Sequence, residues 1–168
     1  MATGFSRTFQ AAHWQVAGIL RQTEIYEKVL ARLSGSVAYV LVDSLRFEMG
    51  VELAGQLDRA GEIILCPSLA ALPTITKIGM AALLPEASAG FDVVTERDKL
   101  AARIAGVPLV DFAARRGFLK TRQPQVVELE LGELPRMSGK RLEGKVAGAP
   151  LIVVRSQEID SLGEGSSD

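Results

Sequence analysis

Two valine-rich runs constrain this chain more than any other feature. "VAYVLV", Val37 to Val42, and "APLIVVRS", from Ala149, are continuous apolar stretches with little polar alternation. That is the pattern of strands buried inside a parallel sheet, because the crossover helices of such a sheet cover its faces. A helical pattern follows the first run: Met49, Leu53 and Leu57 recur four residues apart, and Gly61 is placed to stop the helix. The chain therefore reads as α/β, with a mainly parallel sheet and helices packed on both faces.

Other segments are read the same way. "EIILC", Glu62 to Cys66, reads as a second buried strand, and the single cysteine in it, Cys66, as a small buried hydrophobe. Val16 to Leu33 has the loose spacing of an amphipathic helix, within an N-terminal helical segment of residues 1–34. Ile75 to Leu84 reads as a short helix ended by Pro85, "FDVV" as a strand, and Asp98 to Ala105 and Asp111 to Phe118 as helices. "VVELEL" alternates as a half-exposed strand does, and "RMSGKRLEGKVAGA" reads as a glycine-rich loop or insertion.

Composition excludes some functions. Net charge is −1 and aromatics make up 5% of the chain, so neither the basic surface nor the stacking platforms of a nucleic-acid binder are present. No run reaches the roughly 18 to 20 apolar residues that span a bilayer, and the N-terminus lacks the pattern of a secretory signal. A cytoplasmic protein is the expectation.

In open α/β sheets, ligands bind beyond the carboxyl ends of the strands, so the residues just past each strand are the ones to examine. Asp43 follows "VAYVLV" directly and is either an oxygen ligand for a cation or a helix cap. "PTIT", Pro73 to Thr76, opens the next helix. If Thr74 caps it, Thr76 lies in the first turn, where free N–H groups and the helix dipole favour a phosphate. A threonine hydroxyl is a weak nucleophile without a base or a metal to activate it. The only histidine, His13, lies far upstream next to Trp14 and reads as a packed or surface residue, which leaves metal activation through Asp43 as the better fit. After the last run, Glu158, Asp160 and Glu164 place three carboxylates at another strand end, either a solvated acidic turn or part of a metal site.

Three segments, "VLVDSLRFEMGVEL", "LPTITKIGMAALLP" and "VVRSQEIDSLGE", together resemble the PglZ domain, a branch of the alkaline phosphatase superfamily found in phage-defence systems of the BREX type. The resemblance covers about Val37 to Glu164 and is weakest between Phe91 and Ala149. It implies an alkaline-phosphatase-like fold over residues 35–168 and a metal-dependent phosphohydrolase, a phosphatase or phosphodiesterase. In that reading Thr76 is the nucleophile and a metal contact, and Asp43, Asp160 and Glu164 are metal ligands. Lys77 adds charge near the phosphate, and Thr74 is left as the cap.

The resemblance further implies two divalent ions in the intact domain, zinc first, a phosphate-ester or nucleotide substrate, and other phage-defence proteins as partners. The superfamily's later Asp-His-Gly element has no counterpart in these residues, so the domain is expected to be incomplete at its C-terminus and weak in turnover. Two alternatives follow: a non-catalytic interaction or scaffold module of a defence complex, and a homodimer formed through an exposed sheet edge.

Overall fold

The computed structural model describes residues 2–12, 16–57 and 61–164. Its centre is a parallel sheet of β2 (Val37–Val42), β8 (Leu151–Ser156) and β7 (Val127–Glu130), with β8 in the middle. The two valine-rich runs are thus neighbouring strands, in register from Val37 opposite Leu151 to Val42 opposite Ser156. Parallel pairing puts their carboxyl ends at the same edge.

Alternation decides which sheet face is packed. Val37, Tyr39 and Leu41 on β2 and Leu151 and Val153 on β8 share one face and join the main core. Ala38 and Val40 point the other way and are exposed, so β2 is covered on one face rather than two. The core is completed by α4 (Thr76–Ala82), whose Ile78, Ala81 and Ala82 are fully buried, and by Phe118 and Leu119 of α6 (Phe112–Arg122). Asp111 caps α6, its Oδ1 accepting the Ala114 N–H at 2.8 Å.

A second, antiparallel sheet holds β4 (Phe91–Glu96), β5 (Lys99–Ile104) and β6 (Val107–Leu109). The helix expected over Asp98 to Ala105 is therefore strand β5. Arg97 and Asp98 both take positive φ, at 50° and 61°, which makes the two-residue turn that sends β5 back along β4. Its alanines favour a helix only in isolation; paired, Ala101, Ala102 and Ile104 lie in the core.

Three other expectations change. "EIILC" forms no strand: Ile64 is 78% exposed, Cys66 is exposed, and Leu65 lies against Gly50 of helix α3 (Phe47–Gln56). The nearby strand β3 (Ser68–Leu69) instead pairs with β1 (Leu20–Arg21), away from the central sheet, so Glu62 to Cys66 has no ladder to join. The single helix expected over Val16 to Leu33 is broken into β1, a 3₁₀ turn at Gln22–Glu24, α2 (Ile25–Lys28) and a second 3₁₀ turn at Leu30–Arg32. Gly18, at φ 81°, and the extended Arg21 interrupt it. The glycine-rich stretch holds helix α7 (Gly139–Val146), started by Ser138, whose Oγ accepts the Arg141 N–H. His13 and Trp14 lie outside the described residues.

The start of α2 is held by one carboxylate. Glu24 accepts from the Lys28 ammonium at 2.7 Å, from the Arg21 backbone N–H at 2.9 Å and from the Arg21 guanidinium at 3.2 Å. These bonds, with Lys28 foremost, pull its carboxyl from 4.5 down to about 2. A depressed carboxylate stabilises the fold fully above its unfolded pKa and loses that contribution as protons bind. Melting temperature should fall as pH drops from about 4.5 to about 2, and Glu24→Gln should flatten that part of the profile.

Candidate active site

The shared edge of β2 and β8 gathers the chemistry. Asp43 is the residue after β2, and its N–H extends the ladder by bonding the Ser156 carbonyl at 2.9 Å. Its side chain is held in place and 7% exposed. Oδ1 accepts the Ser44 N–H at 3.0 Å, whereas Oδ2 is buried with no hydrogen-bond partner among the described residues. Ser44 adopts left-handed backbone geometry at φ 61°, a conformation that costs a non-glycine residue about 1–2 kcal/mol. Strain of this kind at the end of a strand is a feature of sites where a side chain must be aimed.

After β8 the chain turns into α8 (Glu158–Glu164) at the same edge, and this brings Asp160 back to β2. The Ser44 hydroxyl donates to Asp160 Oδ1 at 2.6 Å, spanning 116 residues of sequence. Glu158 does not join them: it accepts from the Ser156 hydroxyl, and this bond lowers its carboxyl pKa. The side chain of Glu164 lies outside the described residues.

Helix α4 supplies the third piece. It begins at Thr76, but its cap is Ile75, not Thr74, and no side chain caps it. The Ile75 N–H bonds the Pro73 carbonyl at 2.8 Å, while the Ile75 carbonyl accepts from Ile78 and Gly79. This tight turn starts the helix one residue later than the threonine spacing suggests and leaves Thr74 outside it. The N–H groups of Thr76 and Lys77 find no acceptor among the described residues.

Asp43, Ser44, Thr74, Thr76 and Asp160 line one open cleft of about 730 Å³. Asp43 and Thr76 also line a small inner cavity of about 50 Å³, so they stand where the cleft meets it. Thr76 is exposed there. Thr74 faces only the outer cleft, which separates the two hydroxyls. Lys77 lines neither space, because one residue along a helix turns a side chain about 100° away.

The sequence reading missed the far wall of the inner cavity. Arg115 from α6 and Arg155 from β8 line it with Ser156 and Gln157. Burial lowers the Arg115 pKa, and the neighbouring Arg155 charge lowers it further, while Asp111 and Asp43 oppose the shift. Arg155 stands within the quoted "VVRSQEIDSLGE", but Arg115 lies on a stretch whose sequence reads only as a helix.

A divalent cation can be tested against these groups. The buried, unpartnered Asp43 Oδ2 is the kind of atom a cation satisfies, and Thr76 and Asp160 add oxygen donors in the same cleft. Among the described residues no group of three or more His, Cys, Asp or Glu side chains is placed to hold a metal ion. The residues fit part of a coordination shell made of oxygen, a donor set that magnesium and manganese accept as well as zinc.

No helix among the described residues is long and apolar enough to cross a membrane. Comparison with curated proteins and with solved structures gives no match. A family model described as the BREX system PglZ alkaline phosphatase-like domain matches residues 24–168, which include Asp43, Thr76 and Asp160. With most of its length inside that match, the chain belongs to the PglZ family, the alkaline phosphatase-like domain of BREX systems.

Proposed function

We propose that the Asp43–Thr76 cleft hydrolyses phosphate esters with Thr76 as nucleophile, as part of a phage-defence system. One observation carries the reading. A buried carboxylate oxygen without a partner among the described residues and an exposed threonine at a helix start line the same cleft and the same small cavity.

The Thr76 oxygen forms the new bond to phosphorus as the ester P–O bond breaks, and the proton lost from the threonine hydroxyl ends on the departing alcohol. Water then splits the phosphothreonine to release phosphate and restore the hydroxyl. The free N–H groups at the start of α4 face the charge that develops on the phosphoryl oxygens. Asp43, Thr76 and Asp160 would hold a divalent cation, zinc by the family resemblance, and a bound ion supplies the positive charge that lowers a hydroxyl pKa. Ser44 keeps Asp160 turned toward β2.

A chromogenic phosphate ester, offered with zinc, magnesium or manganese, tests this directly. Turnover that requires the cation and disappears in Thr76→Ala and Asp43→Ala supports the site. Full turnover in both variants rejects it.

A second reading rests on a different surface. Phe47, Val51 and Leu53 of α3 are exposed, as are Leu57 just past its end and Ile63, Ile64 and Leu65. Exposed apolar residues in such number would serve as a contact face, here for another copy of the chain or another defence protein. Dimerisation by sedimentation that Ile64→Asp abolishes, with no hydrolysis under any cation, would favour that interaction role.

A further inference from the structure

Part of the cleft wall comes from outside the matched domain. Gln22 borders the cleft with Asp43, Thr76 and Gly79, although the family match begins at residue 24. Its backbone is held from both sides. Leu20 and Arg21 of β1 pair with Ser68 and Leu69 of β3, and Glu24 ties the turn that carries Gln22 to Arg21 and Lys28.

The half-buried Gln22 carboxamide is oriented as well. The Ala71 N–H can only donate, so the amide oxygen must face it, and Oε1 accepts that bond at 2.9 Å. Nε2 is left as the free end, with no acceptor among the described residues. A Cβ on Gly79 would stand 3.4 Å from Nε2, so the bare glycine lets the amide rest against α4. Gly79 is three residues beyond Thr76 on the same helix face, about 4.5 Å along the axis. An aimed donor without a partner thus stands one turn from Thr76.

We propose that Gln22 selects phosphate esters whose alcohol portion carries a further hydroxyl, by donating an Nε2 hydrogen to that hydroxyl oxygen. The substrate class is then esters of sugars or polyols rather than of simple alcohols. Gln22 borders the open cleft but not the inner cavity, which puts its amide beside the alcohol portion of an ester attacked at Thr76. Apolar Leu45, Phe47, Ile75 and Met80 line the same cleft, and a neutral donor among such groups fixes how a ligand is turned. A site that donates to a hydroxyl disfavours the analogue lacking it, because its own donor is then left unpaired. The catalytic meaning of the contact rests on the reading of Thr76 as nucleophile; the hydrogen bond itself does not.

The test compares glycerol 2-phosphate with isopropyl phosphate, which share a carbon skeleton and differ in two hydroxyls. Calorimetry on the full chain, freed of metal with a chelator so that neither ester turns over, should show glycerol 2-phosphate binding about three- to tenfold more tightly. Gln22→Glu keeps an oxygen for the Ala71 N–H but removes the donor, so the ratio should fall to about one. The added carboxylate repels both esters alike and cancels in that ratio. A Gln22 that only braced the fold would leave the ratio unchanged in Gln22→Glu. A second measurement needs no variant: the Gln22 side-chain ¹⁵N–H resonances should move with glycerol 2-phosphate and stay nearly fixed with isopropyl phosphate.

Equal affinity for the two esters, a preference that survives Gln22→Glu, or no binding of either ester would each overturn the assignment. Equal affinity with hydrolysis lost in Thr76→Ala rejects Gln22 and leaves the nucleophile standing. A preference abolished by Gln22→Glu, with full hydrolysis in Thr76→Ala, does the reverse.

Discussion

Thr76→Ala is expected to lower cation-dependent phosphate ester hydrolysis by on the order of a thousandfold or more, because no other group in the cleft replaces the attacking oxygen. Thr74 brings a second threonine hydroxyl to the cleft. It lines the outer cleft but not the inner cavity, so it does not share the space that Asp43 and Arg115 border. Stability should change by less than about 0.5 kcal/mol, since Thr76 is exposed and its hydroxyl has no bonding partner among the described residues. Thr76→Ser should keep part of the activity, as it keeps the oxygen. Unchanged melting with lost turnover is therefore the expected pattern, read by thermal denaturation beside the hydrolysis assay.

Ile78→Ala is expected to have the opposite balance. Ile78 is two residues beyond Thr76, is fully buried, and joins Leu41, Leu84 and Ile104 in the core. Truncating it removes apolar contact and leaves a cavity that a tightly packed sheet-helix interface only partly closes, at about 2–5 kcal/mol. Because α4 has seven residues and is held mainly by Ile78, Ala81 and Ala82, loosening it also displaces Thr76. Chemical denaturation should show the midpoint falling sharply, and activity should fall in the native protein as well. A midpoint within experimental error of wild type would mean that α4 is not anchored as described.

The contrast between these two residues shows how much of the molecule its sequence discloses. "VAYVLV" and "PLIVVRS" were legible as strands because continuous valine-rich runs have few other uses, though their pairing was not, and Asp43 was legible from its place beyond the first. Thr76 could be singled out by the proline-threonine pattern, but the capping role given to Thr74 could not survive. The bond from the Ile75 N–H to the Pro73 carbonyl, which shifts the helix start, is a backbone detail without a side-chain signature. The β4–β5 hairpin was hidden by a turn of Arg97 and Asp98 in place of the usual glycine, and by alanines whose local preference is helical. "EIILC" reads as a strand by composition, yet a strand needs a partner, and partners are a tertiary fact. Arg115 was invisible for a related reason. Its place at the inner cavity with Arg155 is set by packing.

The site's convergence has a topological cause. Parallel pairing of β2 with β8 puts Asp43 and the start of α8 at one edge, and the Ser44 to Asp160 bond ties them across that edge. Helix α4 then needs only to pack its buried face on the core to present Thr76 into the same cleft. The cleft's place at this edge follows from where the strands end, which is the general rule for ligand sites in open α/β sheets.

Trapping the covalent intermediate tests the central claim most directly. The protein is mixed with a phosphate ester and its activating cation, quenched in acid during turnover, digested, and sequenced by mass spectrometry. A phosphoryl group on Thr76, absent in Thr76→Ala, is the predicted result. Turnover with the phosphoryl group on another residue, or with none on any residue at any quench time, would contradict Thr76 as the nucleophile of this domain.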